Sequence, residues 1–91
     1  MLRFAHKFLH MQFTVQVTVM PLKELLDPQG KAVLTGLSSL GSKSIKDVRV
    51  GKNILLKIEA SSEAEAKQLA EEAGKKLLAN QVMEYFEVNV D

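Results

Sequence analysis

Gln12-Phe13-Thr14-Val15-Gln16-Val17-Thr18-Val19-Met20 alternates between polar and apolar side chains as far as Val19. Phe13, Val15, Val17 and Val19 fall on one side of an extended chain, with Gln12, Thr14, Gln16 and Thr18 on the other. Period-two alternation of this kind marks a strand with one buried and one polar face. Pro21 ends the run, because it has no amide to give to the ladder.

The later segments carry their own punctuation. Asp27-Pro28 predicts a helix start: the carboxylate can accept orphan amides as N-cap, and Pro28 pre-sets φ at the first helical position. Ala32, Val33, Gly36, Leu37 and Leu40 then recur at helical spacing as one apolar stripe. Gly41 is placed to stop the helix in a left-handed conformation. Ile45 to Val50 reads as a short strand and Asn53 to Ala60 as a longer one, with Gly51-Lys52 as a tight hairpin turn between them. Ser62 and Glu65 have capping-box spacing, and Ala66, Leu69, Ala70, Ala73 and Leu77 trace a second helical stripe through to Leu78. Asn80 is a left-handed terminator in this scheme, and Phe86, Val88 and Val90 alternate with Tyr85, Glu87 and Asn89 in a last strand.

The resulting order, β-α-β-β-α-β, predicts an α+β two-layer sandwich. Two right-handed crossovers joined by a hairpin give a four-stranded antiparallel sheet with both helices on one face, a ferredoxin-like arrangement. The opposite sheet face then carries Gln12, Thr14, Gln16, Thr18, Leu55, Lys57, Tyr85 and Glu87. Apolar residues among threonines and glutamines make it a place for another chain to dock.

Ninety-one residues form one domain, and 46% hydrophobic with 25% charged residues is enough to build a core. A chain this short buries only about 60% of its unfolded surface, so oligomerisation is the expected way to complete it. With no cysteine, disulfides, thiolate metal sites and a cysteine nucleophile are excluded, which fits a cytoplasmic protein. No apolar run approaches the roughly 20 residues that span a bilayer, so no membrane partner is expected. A net charge of +1 does not suit a general polyanion binder. Residues 1–10, MLRFAHKFLH, read as a disordered leader ahead of a domain at 11–91, with Met11 as the native start; the leader has neither the apolar length nor the cleavage site of a secretory signal.

Catalytic chemistry is sparse. His6 and His10 stand four apart in the leader, without a third metal ligand nearby in sequence, and the rest of the chain has no histidine for a Ser-His-Asp arrangement. Gly36 to Ser44, GLSSLGSKS, is superficially like a phosphate loop but ends a helix where such a loop must begin one. Lys43, Lys46, Arg49 and Lys52 cluster without the stacking aromatics of an RNA-binding sheet, so nucleic acid is not an expected partner. Glu63–Lys67, Glu71–Lys75 and Glu72–Lys76 are helix-surface pairs worth about 0.2–0.5 kcal/mol each.

Three segments together resemble PurS, the small subunit of phosphoribosylformylglycinamidine (FGAM) synthase. They are Leu26-Asp27-Pro28-Gln29-Gly30-Lys31-Ala32-Val33, then Asp47-Val48-Arg49-Val50-Gly51-Lys52, then Lys76-Leu77-Leu78-Ala79-Asn80 with Val82-Met83-Glu84 after it. The resemblance covers about residues 12 to 91. Gln81 departs from it where the family commonly has proline, as does Leu22-Lys23-Glu24-Leu25 where a Pro/Gly turn is common. It implies a non-catalytic subunit of a purine-biosynthesis ligase that self-associates, as a homodimer or dimer of dimers, and bridges a glutaminase subunit to an ATP-dependent synthetase subunit so that ammonia can pass between them. It implies no cofactor in this chain, with ATP and Mg held by the synthetase. The expected partner contacts are Asp27, Pro28, Gln29 and Gly30 at the helix start, Arg49, Gly51 and Lys52 at the hairpin, and Asn80, Tyr85 and Glu87 at the sheet edge. An ACT-like regulatory domain that binds a small ligand is the alternative, by analogy of fold alone.

Overall fold

Val15, Val17 and Val19 are fully buried, on the strand that the alternation predicts. The computed structural model describes residues 11–91; the leader at 1–10 and its His6–His10 pair lie outside the described residues. Strand β1, Met11–Pro21, is the middle of three, flanked by β2 (Lys52–Ala60) and β3 (Glu84–Val90) in the order β2-β1-β3. Both neighbours run antiparallel to it, with Val17 opposite Ile54 on one side and Val88 on the other. Side chains alternate with period two, so this register gathers the β1 valines, Ile54, Leu56 and Ile58, and Phe86, Val88 and Val90 on a single face.

Helix α1, Pro28–Ser39, starts where expected: the Asp27 carboxylate accepts from the Gly30 amide at 3.1 Å, and Pro28 opens the first turn. It ends in a Schellman motif, with Gly41 at φ 97°, the Gly41 amide on Ser38 O (3.1 Å) and the Ser42 amide on Leu37 O (2.9 Å). Helix α2, Glu63–Ala73, is capped by Ser62, whose Oγ accepts from the Glu65 amide, while the Glu65 carboxylate accepts from the Ser61 amide. The reciprocal bond therefore falls one residue earlier than in a standard capping box.

Helix α2 packs on all three strands, and its fully buried Ala66 and Ala70 let it come close. After Ala73 the helix widens into a π turn, Gly74–Leu78, closed by the Ala79 amide on Gly74 O at 3.1 Å. Buried Gly74 lies against the Phe86 ring, and a Cβ there would meet three ring carbons at 2.5–2.9 Å. The extra residue in the turn rotates the side chains at its C-terminal end. Leu78 takes the core-facing place and Leu77, assigned to the stripe by sequence, points outward with 84% of its surface exposed.

The sheet has three strands, not the four expected, although the α+β class stands. Residues 45–50 form no strand and no hairpin. They run beside the 22–30 segment, where side chains take the place of a ladder: the Val50 amide donates to the Asp27 carboxylate and the Arg49 guanidinium to carbonyls of the preceding loop. Gly51 fits against Val19 O and Met20, so the chain enters β2 directly at Lys52, opposite Val19, without reversing. The four-stranded order behind the ACT analogy is absent with it.

Nor do both helices cover one face. Helix α1 makes no extensive contact with any strand or with α2, and Leu40 in its stripe is 83% exposed. Helical periodicity shows that one side of a segment is apolar but not which surface receives it. Asn80 is not left-handed either, since no non-glycine among the described residues has positive φ.

Gly74→Ala forces a methyl group into the Phe86 ring and is expected to cost about 1–3 kcal/mol. Urea denaturation reads this as a lower midpoint, and pairing the change with Phe86→Leu recovers most of the loss.

Candidate interaction site

Three stretches outside the ladders meet at the end of the sheet where β1 leaves and β2 and β3 enter: 22–30, 48–51 and 80–84. Asp27 joins the first two. One carboxylate oxygen accepts from the Gly30 amide (3.1 Å) and the other from the Val50 amide (2.8 Å). These amides hold the Asp27 carboxyl below its ordinary pKa, Val50 contributing most, with burial opposing and the Arg49 charge assisting. Gly30 is buried against Val48 O and the Asp27 carboxylate, leaving no room for a side chain.

Arg49 closes the clasp from the other direction. Its Nη1 donates to Leu22 O (3.2 Å) and Leu25 O (2.8 Å), and its Nη2 to Lys23 O (2.6 Å). A planar fork can serve three carbonyls of one turn at once, which a lysine ammonium at the end of its stem cannot match in geometry. The Leu22 amide in turn donates to Met83 O at 2.9 Å, tying the clasp to the third stretch. There Asn80 organises the loop: its Oδ1 accepts from the Val82 amide (3.1 Å), and its own amide donates to the Glu84 carboxylate (2.8 Å).

Between the loops lies a cavity of ≈ 250 Å³ lined by Pro21, Leu25, Leu26, Asn80, Met83 and Glu84. Leu26, 86% exposed, stands at it, and Val82 and Met83 are exposed in the same loop region. Large apolar side chains held outward by hydrogen-bonded backbone form a surface suited to recognition.

A second surface is the polar face of the sheet. Thr18 Oγ1 donates to Asn53 Oδ1 (2.8 Å), Asn53 Nδ2 to Gln16 Oε1 (2.9 Å), and Gln16 Nε2 to the Asp91 carboxylate (3.0 and 3.2 Å). The chain of bonds crosses β2 and β1 and reaches the C-terminus. Half-buried Tyr85 stands opposite Met20, and exposed Glu87 opposite Thr18, on β3.

Of the residues singled out by sequence, Asp27, Gly30 and Arg49 come together directly, and Asn80 joins them through Leu22 and Met83. Pro28 and Gln29 are exposed at the helix start, Gly51 packs on Met20, and Lys52 is exposed opposite Val19. Tyr85 and Glu87 belong to the polar face instead. The Arg49 fork turns onto its own chain's carbonyls rather than protruding from a hairpin tip. The Gln16–Asn53–Asp91 bonds escape sequence reasoning because they depend on strand register; polar residues at facing positions are the only trace they leave.

Among the described residues there is no cluster of three metal-ligating side chains, and the one carboxyl with a resolved shift moves away from general-acid behaviour. No helix among them is long and apolar enough to cross a membrane.

A family model described as PurS, phosphoribosylformylglycinamidine (FGAM) synthase, matches residues 14–91. The chain is similar to the phosphoribosylformylglycinamidine synthase subunit PurS of Synechocystis, with 43% identity over 79% of this chain and 70% of that one. Its fold matches the crystal structure of the purS subunit from Thermotoga maritima with a TM-score of 0.84, at 28% identity over 90% of this chain and 94% of that one. It also matches a chain in the structure of PurLQS from Thermotoga maritima with a TM-score of 0.82, at 28% identity over 89% and 99% of the two chains.

The Asp27 carboxyl, with its folded-state pKa below the ordinary 3.8, contributes stability in full above that value and loses it as pH falls through the lowered folded value. The gap in denaturation midpoint between the natural protein and Asp27→Asn is therefore expected to be constant above about pH 5 and to narrow in more acid solution. Arg49→Lys keeps the charge and loses the fork, so hydrogen exchange at the amides of 22–26 is expected to quicken while β1 amides stay protected.

Proposed function

Since this chain belongs to the PurS family, we propose that it bridges the glutaminase and synthetase subunits of FGAM synthase and adds no active site of its own. The family match over residues 14–91 carries its assignment as a subunit of FGAM synthase in purine biosynthesis, and a relative of the same fold sits in the Thermotoga maritima PurLQS structure. The clasped loops and the polar sheet face are surfaces that such an assembly can use.

The chemistry explains why a bridge helps. Ammonia released from glutamine by one protein must reach a second protein, where ATP activates the formylglycinamide ribonucleotide. Free ammonia dilutes into solvent or is protonated. Holding the two catalytic proteins in one orientation turns an encounter between molecules into a step within a complex. That role asks for rigid, specific surfaces, and the Asp27–Arg49 clasp supplies rigidity by tying two loops together through side-chain bonds to backbone, with the Leu22–Met83 backbone bond joining the third. On this proposal ATP and Mg act in the synthetase, this chain holds no cofactor, it self-associates as a homodimer or dimer of dimers, and it works in the cytoplasm.

Reconstitution with the glutaminase and synthetase of the same source tests the proposal. Leaving this chain out is expected to lower glutamine-dependent FGAM formation by about a hundredfold, while FGAM formation from added ammonium salt persists. Equal glutamine-dependent rates with and without the chain would overturn the bridging role.

A further inference from the structure

The backbone bonds at the two ends of the β1–β3 ladder fix which way every group of β3 points. The Asp91 amide donates to Thr14 O and the Leu22 amide to Met83 O, each at 2.9 Å. Both pairs continue the register that sets Val88 opposite Val17. In an antiparallel pair, hydrogen-bonded residues alternate with non-bonded ones, so Tyr85, Glu87 and Asn89 turn their backbone groups to β1. Phe86, Val88 and Val90 turn theirs outward, one donor and one acceptor each. The outward amide of Glu84 is already taken by Asn80 O at 2.6 Å, so the open run starts at Phe86.

Strand β3 lies at the edge of the sheet, and among the described residues no strand lies beyond it. Unpaired edges recruit further strands unless lysine, proline or a bulge blunts them. Residues 84–90, EYFEVNV, hold neither lysine nor proline, and their pairing with β1 runs without a bulge. Beside the edge lies a groove of ≈ 450 Å³, walled by Lys67, Glu71 and Lys75 of α2 and floored by Phe86 and Val88. The three charged residues recur at every fourth position, so they share one side of the helix. A strand added about 4.8 Å outside β3 sends every second side chain into this groove. There it meets two ammonium groups and one carboxylate above an apolar floor.

Resting on the assignment of this chain as a subunit of the synthase, we propose that the open edge of β3 pairs with an extended segment of a catalytic partner subunit. That segment is about five residues long, with acidic and apolar side chains on the side that faces α2. Acidic groups there answer Lys67 and Lys75, and an apolar one lies on Phe86 and Val88. A second copy of this chain does not supply that chemistry, because its β3 edge comes with the same two lysines and sets like charge against like. Backbone bonds give such a contact its strength, and the flanking charges choose the partner.

Amide exchange reads this contact residue by residue. The natural chain alone, and its mixtures with the glutaminase, the synthetase and both, are exchanged, then dissociated and read by NMR. In the assembled synthase the Phe86 and Val88 amides are expected to slow by about tenfold or more, while those of Tyr85, Glu87 and Asn89, already bonded to β1, change little. Lys75→Glu is expected to weaken binding of the protecting subunit by about tenfold. Lys57→Glu, the same charge reversal at an exposed position on β2, leaves that affinity unchanged. Circular dichroism establishes that each variant is folded.

Unchanged exchange at Phe86 and Val88 in the assembled synthase overturns the proposal, as does an equal loss of affinity from Lys57→Glu. Phe86 and Val88 amides already protected in the isolated chain show the edge occupied before any partner arrives and also overturn it. Glutamine-dependent FGAM formation is measured on the same mixtures. An active mixture with an unprotected edge leaves the subunit role standing, and an inactive mixture with a protected edge defeats that role instead.

Discussion

Both edges of β1 are taken, and that one constraint places everything else. With β2 on one side and β3 on the other, the buried valines of β1 become the floor of the core, and any helix that covers them must lie along the middle of the sheet. Helix α2 does so with alanines and glycine toward the strands, where bulkier side chains would hold it off. The outer edges of β2 and β3 and the far polar face are then left for other purposes. A larger sheet would have closed one of these surfaces within the chain.

Most of the helix-end signals in the sequence hold because their physics is local, Asn80 as a left-handed terminator being the exception. Asp27-Pro28, Ser62 with Glu65, and Gly41 each satisfy or stop a helix end through atoms a few residues away, and each does so in the structure. The alternation of β1 holds for a similar reason: its period decides which side chains share a face whatever pairs with it. The strand expected at Ile45 to Val50 is absent because apolar residues satisfy a strand pattern equally well when they pack against a loop. What this backbone bonds to is decided by Asp27, 23 residues away. No window centred on Val48 contains that carboxylate.

The site is legible residue by residue but not in its logic. Asp27, Gly30, Arg49 and Asn80 all stand out in the sequence, yet there Asp27 is a helix cap and partner contact and Arg49 a charge held out to a partner. In the folded chain each reaches a distant backbone: Asp27 the amide of Val50, Arg49 the carbonyls of Leu22, Lys23 and Leu25. Charge-assisted bonds to backbone fix loops more firmly than neutral ones. Leu77 is misplaced in the same way, since a straight helix turns it to the core and only the π turn, set against the Phe86 ring, sends it outward.

These two devices serve a common end. Loops that carry bare leucines would ordinarily collapse onto the nearest apolar surface, because burial of a leucine favours it by about 1.5–3 kcal/mol. Holding Leu26 and Leu40 in the open therefore requires backbone that cannot move inward with them. The clasp supplies that for 22–30, and the Schellman motif fixes the departure of the chain after α1. A subunit that presents surfaces needs hydrogen bonds that fix geometry, and at the sheet's end the side chains of Asp27, Arg49, Asn80 and Glu84 all bond to backbone. Where Leu26 stands is thus decided from beneath by the Asp27 carboxylate and the Arg49 guanidinium.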